Sequence, residues 1–293
     1  MSLGTIRACL TLAGFVLLTV PLMPVQAVLR RTSPRLARRL PHWYHRQVCR
    51  LIGVRLTVTG TVAPDRPVLL VANHTSWLDI PVLSAVTPLS FIAKSEVAGW
   101  PFVSTLARLQ NTVFVDRTRR QSVGSTASAI GRRLAGCDTM VLFAEGTSSD
   151  GNRVLPLRSS LFGAVDLAGE LAGDGVTNGL VVQTLAVVYT HRHGLPLDRF
   201  DRPAVSWYGD MELGPHAWAL LRGGPLDVAI QVGAPLTMGG DRKALTRVAD
   251  AELRGHVVRL LRGLPVDAPL AVAMQTAQPP PVRPRHAASA KWS

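Results

Sequence analysis

From residue 54 onward, short apolar runs alternate with stretches of helical spacing. The runs at 54–59, 67–72, 89–92, 112–116, 139–143, 180–188 and 226–232 are too short for helices and predict strands. Helical periodicity falls at 80–86, 100–109, 119–135, 158–171 and 241–262. The alternation predicts an α/β fold, a mostly parallel mixed sheet covered by helices. Segment 193–225, rich in Gly, Pro and aromatic residues, reads as an irregular excursion.

The two ends follow other patterns. Ala8 to Leu29 spans 22 positions without a charged side chain, which as a helix covers roughly 33 Å, close to a bilayer core. Pro21 and Pro24 make a kinked, re-entrant or shallow helix the alternative to a straight span. A secretory signal is the other alternative, since Val25-Gln26-Ala27 resembles a cleavage site. Arg7 alone precedes the segment, whereas Arg30, Arg31, Arg35, Arg38 and Arg39 follow it, and this asymmetry favours an uncleaved anchor with the following domain on the cytoplasmic face. Residues 34–52 set Leu36, Leu40, Trp43, Val48 and Leu51 among arginines, with Pro41 expected to split two short helices. That pattern suits a membrane surface carrying anionic lipid; an ordinary helix packed on the domain is the alternative. Beyond Pro265 periodicity is lost in a basic, Pro-rich tail that reads as disordered. The expected organisation is a membrane-associated segment at 1–52, an α/β domain at 53–264 and a tail at 265–293.

Charge sharpens this reading. The 293 residues carry a formal net charge of +13, and no Asp or Glu precedes Asp65. Because the basic block adjoins a membrane segment and no nucleic-acid motif accompanies it, membrane lipids are the expected partner and nucleic acid is not. Cys9, Cys49 and Cys137 are odd in number and far apart, which suits small apolar fillers in a reducing compartment rather than a disulfide or zinc framework.

Candidate chemistry falls at the ends of three apolar runs: His74 and Asp79 after 67–72, Arg117 after 112–116, and Glu145-Gly146-Thr147 after 139–143. Parallel strands would bring all three to one sheet edge. There a neutral imidazole can take a proton from an alcohol while a carboxylate fixes its tautomer. Five residues along a continuous helix would separate the pair by about 140°, so they need a loop or a distorted first turn. With Asp79 as N-cap, Pro81 falls near the helix start; in the simpler alternative, Ser76 or Asp79 only caps that helix. Arg117 could instead pair with Asp116.

Together these residues resemble the glycerolipid acyltransferase superfamily of the 1-acylglycerol-3-phosphate acyltransferase type. Asn73-His74-Thr75-Ser76-Trp77-Leu78-Asp79 matches its Asn-His-x-x-x-x-Asp motif, and Phe143-Ala144-Glu145-Gly146-Thr147 matches most of its Glu-Gly-Thr motif. Val113–Arg117 looks like its second motif, and Val181–Ala186 its fourth, with Thr184 where proline is usual. The resemblance implies that His74, oriented by Asp79, deprotonates a lysolipid hydroxyl that attacks an acyl thioester on acyl carrier protein or coenzyme A. It implies no cofactor, no metal, and acceptor contacts from Arg117, Glu145, Gly146 and Thr147. It also implies residence at the bacterial inner membrane.

Where phosphate-using relatives carry Phe-Pro-Glu-Gly-Thr-Arg-Ser, this chain has Ala144 for the proline and Ser148 for the arginine. Serine cannot replace a bidentate phosphate partner. The run 144–152, with Trp207–Asp210 downstream, resembles the bacterial branch that acylates lyso-ornithine lipid, and Asp150 suits the ammonium of such an acceptor. Lysophosphatidate is the alternative, served by Arg117, Arg119, Arg120, Arg153 and Arg158. A serine hydrolase finds no Gly-x-Ser-x-Gly elbow. A metal site from His74, Asp79, His191 and His193 fits no common zinc spacing.

Overall fold

The computed structural model describes residues 2–115, 129–131, 133, 134, 138–163, 179–236 and 242–265. Arg117, Arg119, Arg120, the expected tail from 266 and most of the helices expected at 119–135 and 158–171 lie outside the described residues; 129–131, 133, 134 and 159–163 are helical. Among the described residues eight strands form one sheet: β1 (Val54–Thr59), β2 (Val68–Ala72), β3 (Ser90–Lys94), β4 (Val113–Val115), β5 (Thr139–Phe143), β6 (Val181–Arg192), β7 (Leu195–Pro196) and β8 (Leu226–Val232). Their order is β1-β8-β6-β2-β5-β3-β4, with β7 beside β6. Only the β6 pairings with β7 and β8 are antiparallel, so the sheet is mixed and mostly parallel as expected.

β2 shows why its run is continuously apolar. All five of its residues are fully buried. Val68, Leu70 and Ala72 face a cluster closed by α2 (Pro34–Ile52) and α3 (Asp79–Ser84), while Leu69 and Val71 face another that includes Ile130, Phe162 and Ala249. A strand with two dry faces has no place for a polar residue. Burying each leucine side chain contributes about 1.5–3 kcal/mol, so the strand that carries the His-Asp turn is among the most firmly anchored. α4 (Val103–Leu109) lies between β3 and β4, α5 (Leu213–Arg222) falls inside the expected irregular excursion, and α6 (Arg242–Leu261) packs on β6.

The N-terminal region corrects one expectation. α2 is a single helix that runs through Pro41. Proline leaves the carbonyl four residues back without its helical partner; here that carbonyl, Ala37 O, accepts 2.8 Å from Gln26 Nε2 of α1 (Leu3–Thr32). A neighbouring helix thus supplies the missing donor. α1 likewise runs unbroken through Pro21 and Pro24. It is long and apolar enough to cross a membrane, yet it lies along the domain against α2, α4 and α5. Its inner stripe holds Ala8, Thr11, Thr19 and Gln26, and its outer face exposes Leu3, Leu10, Leu17, Val20 and Val28. Contacts occur near both ends: Gly4 packs on Arg222, and Gln26 Nε2 also donates to Leu109 O at 2.9 Å.

Candidate active site

β2 and β5 run parallel in register, Ala72 opposite Phe143, so the chain leaves both strands at the same edge. Asn73 extends β2 by one residue through its side chain: Nδ2 donates to Val187 O at 2.9 Å, and Oδ1 accepts from Val187 N at 2.8 Å. This amide pairing mimics a ladder and fixes where His74 emerges.

The chain then wraps around the Asp79 carboxylate. Oδ2 accepts from His74 Nδ1 at 2.8 Å and from the backbone N–H groups of Thr75 and Ser76 at 2.7 and 3.0 Å. Oδ1 accepts from the Tyr189 hydroxyl at 2.6 Å and, more weakly, from Thr75 Oγ1 at 3.3 Å. Asp79 is fully buried, and a buried carboxylate is tolerable only when its lone pairs are so satisfied. Asp79 is the first helical residue of α3, with Pro81 in that first turn. Its carboxylate serves the preceding turn, so capping α3 is not its role. Nor does Ser76 cap it: its hydroxyl is buried without a partner among the described residues.

With Nδ1–H given to Asp79, His74 presents Nε2 with its lone pair free. The side chain keeps 20% of its surface accessible. Its ring stacks on Phe143, centroids 4.0 Å apart and planes 20° from parallel, which fixes the plane of the imidazole.

Glu145 buttresses the same turn. Its carboxylate accepts from His74 N at 3.0 Å and from Leu155 N at 2.9 Å. Burial pushes its pKa up to about 7, opposed by these two N–H donors and reinforced by the Asp79 charge. Gly146 turns the chain with φ of 78°, its N–H reaching Phe143 O at 3.1 Å, a conformation glycine adopts without strain. Thr147 is exposed at the edge. Ser149 N donates to His74 O at 2.8 Å. The Asp150 carboxylate, half-buried, accepts from Asn152 N at 3.1 Å and Asn152 Nδ2 at 3.4 Å.

The structure therefore brings His74, Asp79, Glu145, Gly146 and Thr147 to one edge, with Asp150 on the same turn. β4 delivers the chain to that edge at Val115, opposite Lys94, but Arg117 itself lies outside the described residues. Sequence reading passed over Asn73 as a positioning group, and also Tyr189, Phe143 and the excursion after β6. That excursion holds the turn from outside: Trp207 N donates to Thr75 O at 2.8 Å, and Trp77 Nε1 reaches His216 Nδ1 of α5 at 3.0 Å. The Asn-His-x-x-x-x-Asp motif already contained Asn73; nothing local in the sequence marks Tyr189, which lies 110 residues from its partner.

Comparison with known proteins bears on this geometry. The Acyltransferase family model matches residues 55–188, the segment that holds the His-Asp turn and Glu145-Gly146-Thr147. The lyso-ornithine lipid O-acyltransferase of Brucella abortus (strain 2308) is 48% identical over 234 residues, covering 80% of this chain and 86% of that protein. The chain belongs to the acyltransferase family. A second relative of this acyltransferase, the lyso-ornithine lipid O-acyltransferase of Rhizobium meliloti (strain 1021), is 44% identical over 228 residues, 78% of this chain and 77% of that one. The acyltransferase also shares its fold with the crystal structure of the 1-acyl-sn-glycerophosphate (LPA) acyltransferase from Thermotoga maritima. That match has a TM-score of 0.61 and 19% identity, over 88% of this chain and 98% of the other.

Proposed function

We propose that this acyltransferase moves a fatty acyl group from a thioester to the free hydroxyl of lyso-ornithine lipid, with His74 as general base. The observation that carries the chemistry is the 2.8 Å contact of His74 Nδ1 with the fully buried Asp79 carboxylate, which can only accept there and so leaves Nε2 as the proton acceptor. As the acceptor oxygen attacks the thioester carbonyl, its proton passes to Nε2. Asp79 stabilises the resulting imidazolium. Collapse of the tetrahedral intermediate breaks the C–S bond, and the departing thiolate of acyl carrier protein or coenzyme A takes the proton back.

Two features support the aminolipid acceptor. The two relatives above bear that activity in their names, and Ser148 replaces the arginine that phosphate-using members carry. Asp150, next to the Ser149 amide that holds His74 O, is the carboxylate proposed for the ammonium group, and Arg117 with Glu145, Gly146 and Thr147 completes the acceptor site. Lysophosphatidate is the competing acceptor, favoured by exposed Arg153 and Arg158 on the 144–158 segment.

The docking of α1 along the domain near both its ends supports a helix lying in one leaflet, with its outer apolar face in the lipid. The arginines after it would keep the domain at the cytoplasmic face of a bacterial inner membrane.

Purified enzyme offered lyso-ornithine lipid and lysophosphatidate in parallel, each with acyl carrier protein and coenzyme A donors, tests the proposal. A higher kcat/KM for lyso-ornithine lipid, lowered selectively by Asp150→Asn, is expected. A preference for lysophosphatidate would overturn the acceptor assignment.

A further inference from the structure

At the opposite edge of the sheet, a cavity of about 470 Å³ opens between the α1–α2 elbow and the chain entering β4 and β5. Asn111 and Asp138, which precede those strands, form its inner wall, so it is separate from the catalytic edge. Its walls carry Arg30 and Arg31 from α1, Arg38 from α2, and Arg133. Asp138 is buried and its carboxylate is divided: Oδ1 pairs with Arg38 Nε at 2.8 Å and Oδ2 with Arg133 at 3.0 Å. Arg133 also donates to Asn111 O at 2.7 Å. Arg30 and Arg31 have no carboxylate partner among the described residues.

Among the described residues four guanidinium groups meet one carboxylate, and the C-terminus of α1 adds only about half a negative charge. Roughly two and a half positive charges are left facing one space. Guanidinium forks match phosphate oxygens in pairs. Ala27 lines the cavity, and its neighbours Val25 and Val28 are exposed on the apolar outer face of α1. An anionic group here would have a greasy flank beside it.

We propose that this cavity is a binding site for the phosphate of an anionic phospholipid, whose acyl chains lie along the outer face of α1. The lipid joins α1, α2 and the N-terminal edge of the sheet through one headgroup. The proposal is independent of which acceptor the enzyme acylates.

The test uses the full chain in non-ionic detergent, without acyl donor, titrated calorimetrically with short-chain phosphatidylglycerol, short-chain phosphatidylcholine and inorganic phosphate. Phosphatidylglycerol should fill one saturable site and bind more tightly than either of the others. R30Q/R31Q should weaken it roughly thirtyfold, about fivefold for each charge. R46Q/R50Q, which removes the same charge from exposed positions of α2 outside the cavity, should change it less than about threefold. Ala27→Trp, which keeps every charge and fills the cavity mouth, should also weaken binding, and it serves if R30Q/R31Q melts abnormally. Equal losses in R30Q/R31Q and R46Q/R50Q, absence of saturation, full binding by Ala27→Trp, or phosphate binding as tight as phosphatidylglycerol would each overturn the lipid site.

Discussion

Asp79→Asn separates the electrostatic role of the carboxylate from its structural one. The asparagine has one acceptor oxygen for five donors. Three of these converge on Oδ2, His74 Nδ1–H and the backbone N–H groups of Thr75 and Ser76, and the two backbone groups cannot reverse. The other two, on Oδ1, are the hydroxyls of Tyr189 and Thr75, which can rotate to accept. The amide oxygen should therefore take the Oδ2 place and the NH₂ the Oδ1 place, preserving the turn and the His74 tautomer. What is lost is a full charge beside the imidazolium. At an effective dielectric constant of 20 and a separation of about 4 Å, that charge is worth about 4 kcal/mol, which corresponds to a roughly thousandfold fall in kcat. KM for the lysolipid should move less than about threefold, because no acceptor contact is removed. Initial rates of acyl transfer in detergent micelles, with circular-dichroism melting to confirm folding, measure this. The double variant H74A/D79N should be no slower than H74A alone, since Asp79 acts through His74. A folded D79N within tenfold of wild type, or further loss in the double variant, would refute the reasoning.

Tyr189→Phe removes the 2.6 Å donor from Oδ1 but leaves the Oδ2 set intact. It should cost about 1.5–3 kcal/mol of stability and lower kcat several-fold at constant KM, read from the same melts and rates. Glu145 gives a pH signature. Its folded pKa of about 7 lies above the unfolded value of about 4.3. The folded state thus retains a proton that the unfolded chain has released. Stability from this group is present below about pH 4, falls through the interval to about pH 7 by on the order of 3 kcal/mol, and is flat above it. Glu145→Gln should remove that slope from the pH dependence of Tm; an unchanged slope would show that another group sets it. Gln26→Leu orphans Ala37 O and Leu109 O and should cost about 1–3 kcal/mol. Less should be lost in a Pro41→Ala background, where the helical N–H returns to Ala37 O, and equal losses in both backgrounds would contradict the capping explanation.

The sheet was legible because its strands carry their burial in their composition. β2 is apolar on both faces, and the motif residues follow it directly, so the placement of His74 and Glu145 at one edge could be argued from parallel order alone. Helices were less legible where a remote contact overrides a local rule. Pro41 breaks a helix in isolation, but Gln26, fifteen positions earlier, supplies the donor. In α5, Gly214 and Pro215 read as turn formers although they fall in the first helical turn, where they are tolerated; Leu213, Ala217, Leu220 and Leu221 hold the helical spacing behind them. Tyr189 was hidden for a different reason. Within the buried run of β6 it has the pattern of a core residue, and only the register of β6 beside β2 puts its hydroxyl on Asp79.

The claim that His74 is the proton acceptor meets its most direct test in His74→Ala, assayed for acyl transfer to lyso-ornithine lipid beside wild type in the same micelles. A protein that folds, stays membrane-associated and loses about a thousandfold in kcat is expected. A folded, membrane-associated variant that transfers acyl groups within tenfold of wild type would contradict it.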